Sequence, residues 1–396
     1  MFVVLFISIL AVLALGLYYL LCRIRAIVLR GKNPDEQPKK TRVVSWCIAG
    51  AFILGMVISC VIKPYFFVLI WLHLILFWAL FEVLVSLTEL LVRKWTKKHP
   101  EKLSTEGMSK EEIRKAKRAR KFALSKTPYW VTGVAAILVT ATYMSISYYL
   151  AHKVYRTEYK ISTEKQVSAL RIALIADSHV GSCFDGEGFA EHLKKIQEND
   201  PDLLVISGDY VDDDTTREDM VRSCAALGEF QSTYGVFYVP GNHDRGYSNY
   251  RDFTYDDLLA ELKKNQVHVL EDKVEELNDS FYVVGRKDRS MKRVPVEQLV
   301  APLDPSKFAI VLDHQPNDYK AEAAAGCDLV LSGHTHGGQM IPIGPIGELI
   351  GVNDATYGLE KREETVFIVT SGIADWAIPF KSGTVSEYCI IDIEGI

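Results

Sequence analysis

Cysteine motifs are missing from this chain of 396 residues, which has seven cysteines and no pair at C-x-x-C spacing. Thiolates at that spacing are typical of structural zinc sites, so cysteine does not indicate one here. The cysteines after residue 150 are scattered, at Cys183, Cys224, Cys327 and Cys389. Free thiols in this region fit either a poorly oxidising cell surface or a cytoplasmic domain.

Charge is absent from residues 1–22 and scarce in three later stretches, residues 43–62, 65–92 and 129–150. Each stretch is long enough to cross a hydrocarbon core of roughly 30 Å. The first lacks a basic amino-terminal region and a clear small-x-small cleavage site, which argues against a cleaved signal peptide. We therefore predict a transmembrane region of four helices over residues 1–150, in a multi-pass protein of the cell membrane.

The loops between the predicted spans are strongly basic. Residues 23–42 contain seven lysines or arginines, and residues 93–128 contain thirteen. Four spans place both loops on one side, which the positive-inside rule makes cytoplasmic. We interpret the second loop as a lipid-facing segment rather than a nucleic-acid site. The part of the chain after residue 150 is then extracytoplasmic.

Acidic residues dominate the second part of the chain. Residues 151–396 hold 42 of the 50 aspartates and glutamates but only 24 of the 45 lysines and arginines. Such a domain suits divalent cations and argues against a nuclease that grips long phosphate backbones. One basic group follows the predicted strand Phe281–Gly285 and predicts either a clamp for a substrate phosphate or a solvated loop: Arg286, Lys287, Arg289, Lys292 and Arg293.

Five short motifs follow apolar, β-branched runs in this acidic part. The runs read RIALIAD, LLVISGD, GVFYVPGNHD, FAIVLDH and DLVLSGHTH, and they predict buried strands of an α/β sheet. Side chains at strand ends converge at one edge of such a sheet. The candidate metal ligands at these ends are Asp177, His179, Asp209, Asn242, His314, His334 and His336.

Aspartate and imidazole are ligands suited to Mn²⁺, Fe or Zn²⁺. Seven candidates are too many for one tetrahedral ion and suit two ions that share a carboxylate. Two metals roughly 3.5–4 Å apart can hold a bridging hydroxide and stabilise an in-line displacement at phosphorus. Histidines at loop tips are often only solvated or packed in a core, but five such motifs in order outweigh that interpretation.

The motifs D-x-H, G-D-x-x-D, G-N-H-D, H and G-H-x-H resemble those of the calcineurin-like metallophosphoesterase family, over about residues 155–394. The string Gly333–Gln339, with Pro342 after it, is similar to a membrane-attached or exported branch that includes UDP-2,3-diacylglucosamine hydrolase-like and cell-envelope phosphoesterases. The resemblance implies an α/β sandwich, two β-sheets flanked by helices, over residues 151–396. Helical patterns over 188–198, 218–230, 255–264 and 316–325 alternate with the strands.

The resemblance also implies the role of each ligand. One metal is held by Asp177, His179, Asp209 and His336, and the other by Asp209, Asn242, His314 and His334, so that Asp209 bridges them. His243 matches the general acid that protonates the leaving oxygen. A histidine near a phosphate can hold its proton near neutral pH. Asp212 is interpreted as a support or a helix cap rather than a ligand.

The predicted function is hydrolysis of phosphomono- or phosphodiesters by a membrane-anchored enzyme with two divalent ions, on a cell-envelope or lipid-linked substrate. Two alternatives remain: a cytosol-facing pyrophosphatase acting on a UDP-sugar lipid, and a non-catalytic sensor of a phosphorylated ligand. Two apolar segments, residues 340–350 and 376–380, either pack inside the domain or receive an acyl or isoprenoid chain. No nucleic-acid partner is expected.

Overall fold

The structure is a computed structural model that describes residues 2–29, 37–98, 109, 111, 129–247, 251–341 and 343–395. Internal contacts divide the chain into one unit from Met1 to Ser145 and a second from Ile146 to Ile396. Residues 99–108, 110 and 112–128 of the predicted basic loop, and Pro342, lie outside the described residues.

Long helices make up the described part of the first unit: α1 (Phe2–Val28), α2 (Lys39–Ile62), α3 (Pro64–Lys98) and α4 (Tyr129–His152), the last of which continues into the second unit. Within the described residues, three helical segments are long and apolar enough to cross a membrane, Lys39–Ile62, Phe66–Trp95 and Trp130–His152. The prediction of four spans is therefore supported for three. The first predicted span, residues 1–22, lies in α1, and the side chains of residues 1–13 lie outside the described part.

A small apolar cluster packs the first unit, formed by Leu20, Met56, Leu74, Trp78 and Ala136. Many other large apolar side chains of these helices are exposed, as the lipid-facing surface of a membrane bundle requires.

Two mixed six-stranded sheets form the second unit. The first has the order β1-β12-β2-β3-β4-β5 and the second the order β10-β11-β9-β8-β7-β6. The strands are β1 (Val154–Thr163), β2 (Leu170–Ile175), β3 (Leu203–Ser207), β4 (Val236–Val239), β5 (His268–Val269), β6 (Lys273–Glu276), β7 (Phe281–Gly285), β8 (Phe308–Leu312), β9 (Leu329–Ser332), β10 (Gly358–Arg362), β11 (Thr365–Val369) and β12 (Ser386–Gly395).

Helices cover the outer faces of both sheets, and the predicted sandwich of two sheets flanked by helices is confirmed. They are α5 (Gly186–Gln197), α6 (Arg217–Glu229), α7 (Tyr255–Lys264), α8 (Val296–Val300), α9 (Tyr319–Ala324) and α10 (Ile343–Leu349). The helix predicted over 316–325 is shorter, because Pro316 accepts a backbone hydrogen bond from Asp354 and continues the preceding loop. Helices α8 and α10 were not predicted.

Strand β2 shows why the ligand-bearing strands are apolar throughout. Ala173 and Ile175 point to the helix-covered core, whereas Ile172 and Leu174 point to the core between the two sheets. Because successive side chains of a strand alternate between faces, a strand with two buried faces loses its polar positions. Strands β2, β3 and β4 pair in parallel, and so do β8 and β9, so within each of these groups the carboxyl ends meet at one edge.

Candidate metal centre

All seven predicted ligands lie just beyond the carboxyl ends of five parallel strands. In the first sheet, Asp177 and His179 follow β2, Asp209 follows β3, and Asn242 follows β4. In the second sheet, His314 follows β8, and both His334 and His336 follow β9. The two edges meet, because Nδ1 of His314 lies 2.8 Å from the carbonyl oxygen of Ser207 at the end of β3.

The backbone is strained at five of these seven positions. Asp177, His179, Asp209, His334 and His336 have φ values of 53°, 36°, 50°, 72° and 50°. L-residues rarely adopt this left-handed region, at a cost on the order of 1–3 kcal/mol each. Strain repeated at one set of side chains is typical of a functional site, where the rest of the fold holds the geometry.

The first ligand cluster consists of Asp177, His179 and His336, all buried, with one candidate donor atom from each within 4.8 Å of the others. Nε2 of His336 lies 3.7 Å from Oδ1 of Asp177. The backbone N–H of His334 donates to both carboxylate oxygens of Asp177 at 3.0 Å, which fixes the orientation of that carboxylate.

The second ligand cluster consists of Asp209, His314 and His334, again within 4.8 Å. Oδ2 of Asp209 lies 3.1 Å from Nε2 of His314 and 3.8 Å from Nε2 of His179 in the first cluster. One carboxylate oxygen is therefore placed between the two clusters. Its other oxygen accepts a hydrogen bond of 2.8 Å from the backbone N–H of His243, so the carboxylate is held from both sides.

Nδ1 of two imidazoles faces a backbone carbonyl, that of His314 the carbonyl of Ser207 at 2.8 Å and that of His336 the carbonyl of Ala374 at 3.2 Å. Nδ1 of His179 lies 3.3 Å from Asp212 without forming a hydrogen bond. An acceptor at Nδ1 fixes the tautomer that leaves a lone pair on Nε2, as in metal-binding histidines. Both ring nitrogens of His179 and Nε2 of His314 are buried and have no hydrogen-bond partner among the described residues, so the donor set fits metal ions.

Charge coupling is strongest within the second cluster. Burial disfavours the charged forms of both Asp209 and His314, but their mutual attraction at 3.1 Å outweighs it. The pKa of Asp209 is lowered and the pKa of His314 is raised well above its usual 6.5. Burial lowers the pKa of His334 to about 4, so that its imidazole is neutral at pH 7. Metal binding at this cluster would compete with protonation of His314.

Asn242 supplies an amide beside the second cluster. Its Nδ2 donates to the Tyr247 hydroxyl at 2.9 Å, and its Oδ1 lies 3.5 Å from Nε2 of Gln315. Gln315 in turn donates to the buried carboxylate of Asp288 at 2.8 and 3.1 Å. These contacts hold the amide in place, and a neutral oxygen adds no negative charge to a site for phosphate.

The His243 side chain lies beside the first cluster. Its ring centroid is 5.1 Å from that of His179, 5.0 Å from Trp376 and 5.1 Å from Tyr247. Burial is the largest influence and lowers its pKa below 6.5, although Asp209 opposes the shift. His243 therefore loses its proton at a lower pH than we expected from the sequence, which predicted a general acid that is protonated near neutral pH.

Two glycines let the ligand loops approach each other. A Cβ added at Gly241 would lie 2.1 Å from Oδ1 of Asp209, and one at Gly333 would lie 2.5 Å from Oδ2 of Asp177. Any larger residue would displace a candidate ligand, so the first position of the G-N-H-D and G-H-x-H motifs requires glycine for steric reasons.

Three buried residues that support the site were not assigned by sequence reasoning. Asp244 accepts backbone N–H bonds from Tyr210, Val211 and Gly241 and so joins the loops after β3 and β4. Asp375 lies 3.4 Å from Nδ1 of His336 and 3.1 Å from Nζ of the fully buried Lys381. The G-N-H-D motif contains Asp244, but no local pattern marks Asp375 or Lys381.

The prediction that Arg286 clamps a substrate phosphate is wrong. The alternative prediction, that Arg286 lies in a solvated loop, is also wrong. The guanidinium of Arg286 is buried and pairs with Asp313, Asp318 and Glu322 at 2.6, 2.8 and 3.0 Å. Arg293 pairs with Asp313 and Asp318 at 2.9 and 3.2 Å. Both guanidinium groups neutralise acids that the sequence spacing did not place beside them.

The two apolar segments divide between the core and the surface. Met340 and Phe380 are buried, as the packing interpretation expected, whereas Ile341, Leu349 and Trp376 are exposed. The packing interpretation therefore does not hold for the whole of either segment, and the interpretation that the segments receive an acyl or isoprenoid chain stays a prediction.

The model of the calcineurin-like phosphoesterase family matches residues 170–338. An uncharacterized metallophosphoesterase of Aquifex aeolicus is 30% identical over 251 residues, which cover 60% of this chain and 91% of the relative. An uncharacterized metallophosphoesterase of Campylobacter jejuni is 30% identical over 233 residues, 57% of this chain and 59% of the relative.

A transmembrane protein with a metallophosphoesterase domain from Danio rerio is 30% identical over 237 residues, 56% of this chain and 53% of the relative. The match covers only about three fifths of the Campylobacter protein and of two relatives from Helicobacter pylori.

Proposed function

This chain belongs to the calcineurin-like phosphoesterase family, and from that premise we propose that it is a membrane-anchored, metal-dependent hydrolase of phosphomono- or phosphodiesters. The observation that carries the proposal is the position of Oδ2 of Asp209, 3.1 Å from Nε2 of His314 and 3.8 Å from Nε2 of His179. One oxygen between two ligand clusters suits a pair of divalent ions that share a carboxylate.

The residues divide into two sets around that oxygen. Asp177, His179 and His336 would hold one ion with Asp209, and Asn242, His314 and His334 would hold the other with the same carboxylate. Two such ions supply positive charge for phosphate oxygens and activate a water molecule for in-line attack. The aspartate and imidazole donors favour Mn²⁺, Fe or Zn²⁺.

The protein's own groups act on the leaving oxygen and on orientation. His243 donates a proton to the departing oxygen, and its backbone N–H keeps it next to Asp209. Trp376 packs beside the His243 ring and limits the access of water from that side. Asn242 keeps the second set less negative than an aspartate at this position would, which favours an anionic substrate.

The proposed substrate is a lipid-linked phosphoester of the cell envelope. Helix α4, a candidate span, ends at His152, and strand β1 begins at Val154, so that only Lys153 separates them. The thirteen basic residues between the last two spans predicted from the sequence, at Arg93–Lys126, favour a cytoplasmic location for that loop and an extracytoplasmic catalytic unit. Labelling intact cells with an impermeant reagent tests this placement, and protection of the catalytic unit would favour the pyrophosphatase acting on a UDP-sugar lipid instead.

Metal dependence tests the core of the proposal. The purified chain in detergent should hydrolyse a chromogenic phosphodiester, lose that activity with a chelator and regain it with Mn²⁺. Asp209→Asn should abolish activity, Asp212→Asn should reduce it through His179, and Asp214→Asn, an exposed carboxylate of the same run, should not change it. If Asp214→Asn is as damaging as Asp209→Asn, the assignment of Asp209 is wrong.

A phosphorylated ligand bound without turnover would favour the non-catalytic sensor. Chelator-sensitive hydrolysis by the wild-type chain would exclude it.

A further inference from the structure

Exposed apolar side chains in the second unit are concentrated in one place. Among the described residues from Ile146 onward, thirteen large hydrophobic side chains are exposed, and eight of these lie between residues 341 and 376. Leu349 is 85% exposed and Ile350 is 67% exposed, values that a soluble surface rarely shows for neighbouring residues. We call the following group the apolar rim: Ile341, Ile346, Leu349, Ile350, Val352 and Trp376.

The backbone that carries the rim is attached to the metal-ligand loops. In α10, Gly344 packs on Gly338, where an added Cβ would lie 2.5 Å from the Gly344 Cα. The hydroxyl of Thr335, between His334 and His336, donates to the carbonyl of Thr356 at 2.6 Å. Side-chain exposure in α10 is therefore not the result of a detached segment.

The other end of the segment is attached to the loop after His314. The backbone N–H of Asp354 donates to the carbonyl of Pro316 at 2.8 Å, and the Asn317 amide donates to the carbonyl of Val352. Trp376, the last residue of the rim, packs beside His243 at 5.0 Å between ring centroids. The rim thus borders the metal centre rather than a remote face.

The rim also adjoins the last turns of α4. The backbone N–H of Ile341 donates to Oγ of Ser382 at 3.1 Å, and the next residue back, Lys381, donates its N–H to the carbonyl of Ser147 at 2.9 Å. The rings of Phe380 and Tyr148 are in edge contact at 6.1 Å. Ser147 and Tyr148 belong to the candidate span Trp130–His152.

We propose that the apolar rim lies in the interfacial layer of the bilayer, with lipid as its occupant. Apolar side chains on a short surface helix are typical of monotopic contact with a membrane, and tryptophan is enriched at the membrane–water interface. The continuity of the rim with the end of a membrane span favours lipid over a soluble partner. As a consequence, which rests on the proposed function, the enzyme takes a phosphoester head group at the metals while the lipid tail stays in the bilayer.

A photoreactive amino acid tests the contact directly. The full chain, with a benzophenone side chain at Leu349, is reconstituted in vesicles of phosphatidylethanolamine and phosphatidylglycerol and irradiated. The matched control carries the same group at Val221, an exposed apolar position on α6. We expect lipid adducts at position 349 in at least about tenfold excess over position 221, because only the former enters the interface.

Absence of that excess would overturn the proposal, and so would cross-links from position 349 to a second copy of the chain. Lipid adducts in a protein that hydrolyses no phosphoester would support the surface while removing the proposed function. The two ideas can therefore fail separately.

A paired substitution tests the consequence. Leu349→Ser with Ile350→Ser should slow hydrolysis of a vesicle-embedded lipid phosphoester by about tenfold, since interfacial binding scales with buried apolar area. Hydrolysis of a small soluble phosphodiester and the thermal midpoint should remain unchanged. If both activities fall together with the thermal midpoint, the two residues pack in the domain and the proposal is wrong.

Discussion

The two ligand clusters are supported in different ways. In the first, each histidine has a carboxylate near Nδ1: Asp212 lies 3.3 Å from Nδ1 of His179, and Asp375 lies 3.4 Å from Nδ1 of His336, which also faces the carbonyl of Ala374 at 3.2 Å. In the second, the acceptor at Nδ1 of His314 among the described residues is the carbonyl of Ser207, and the nearby amide of Asn242 is neutral. A carboxylate partner raises the basicity of a histidine ligand more than a carbonyl does.

This difference predicts that the two clusters bind their ions with unequal affinity. We expect the first cluster to bind a divalent ion more tightly and the second to exchange its ion more readily. An exchangeable ion at the second cluster is consistent with the reversible effect of a chelator and Mn²⁺ that we expect.

His243→Ala should give the largest loss without altering either cluster. Its side chain contacts rings of the site but is in neither ligand set, so both ions should remain bound. Turnover should fall by about 10²–10⁴-fold, the usual scale of general acid catalysis. The loss should shrink for a nitrophenol leaving group, which needs little protonation.

Metal content and turnover of the His243 variant are measured on the same sample. If one ion is lost, His243 is a ligand and the division into two clusters is wrong. Equal losses for good and poor leaving groups would exclude the general-acid role.

Asp375→Asn should weaken only the first cluster. Loss of an outer carboxylate typically costs about 10–100-fold in metal affinity, and the second ion should be unaffected. Calorimetric titration with Mn²⁺ resolves the two binding steps. Asp304→Asn, which removes an exposed carboxylate that accepts from Ser306, serves as the control and should leave both steps unchanged.

Gln315→Ala should weaken the second cluster by less. Gln315 touches Asn242 only at 3.5 Å, so its removal frees an amide without removing a ligand. We expect metal affinity at the second cluster to fall several-fold, which is less than the roughly 10-fold minimum typical for loss of a carboxylate that supports a metal ligand. Calorimetric titration with Mn²⁺ checks this. If the variant instead weakens the tighter of the two binding steps, the assignment of the tighter step to the first cluster is wrong.

The pH dependence should be the mildest effect. Burial lowers the pKa of His243 below 6.5. A general acid must be protonated, so turnover of a substrate with a poor leaving group should decrease as pH rises through that lowered pKa. A rate profile at saturating metal measures this, and the decrease should be absent in His243→Ala.

A site residue could be predicted from the sequence when its role is marked by neighbours in the chain, and not when its partners are far away along the chain. The candidate ligands Asp177, Asp209 and His314 each lie two residues after an apolar strand, so a local pattern marks them without any knowledge of their neighbours. Asp375 lies six residues after the end of β11, and its partner His336 is 39 positions earlier, so no local pattern marks it. The prediction for Arg286 was wrong for the same reason, because the acidic residues that pair with it lie 27–36 residues away along the chain.

Local patterns in the sequence indicate the candidate metal ligands, their order on the strands and the long apolar helices, because periodicity and strand ends are local properties. The packing of distant strands places one oxygen of Asp209 between two clusters, and it sets a carboxylate near each histidine of the first cluster but a backbone carbonyl at Nδ1 of His314 in the second. It also decided that Leu349 and Ile350 are exposed while Phe380 is buried. These facts depend on how strands far apart in the chain pack together, and no local pattern carries that information.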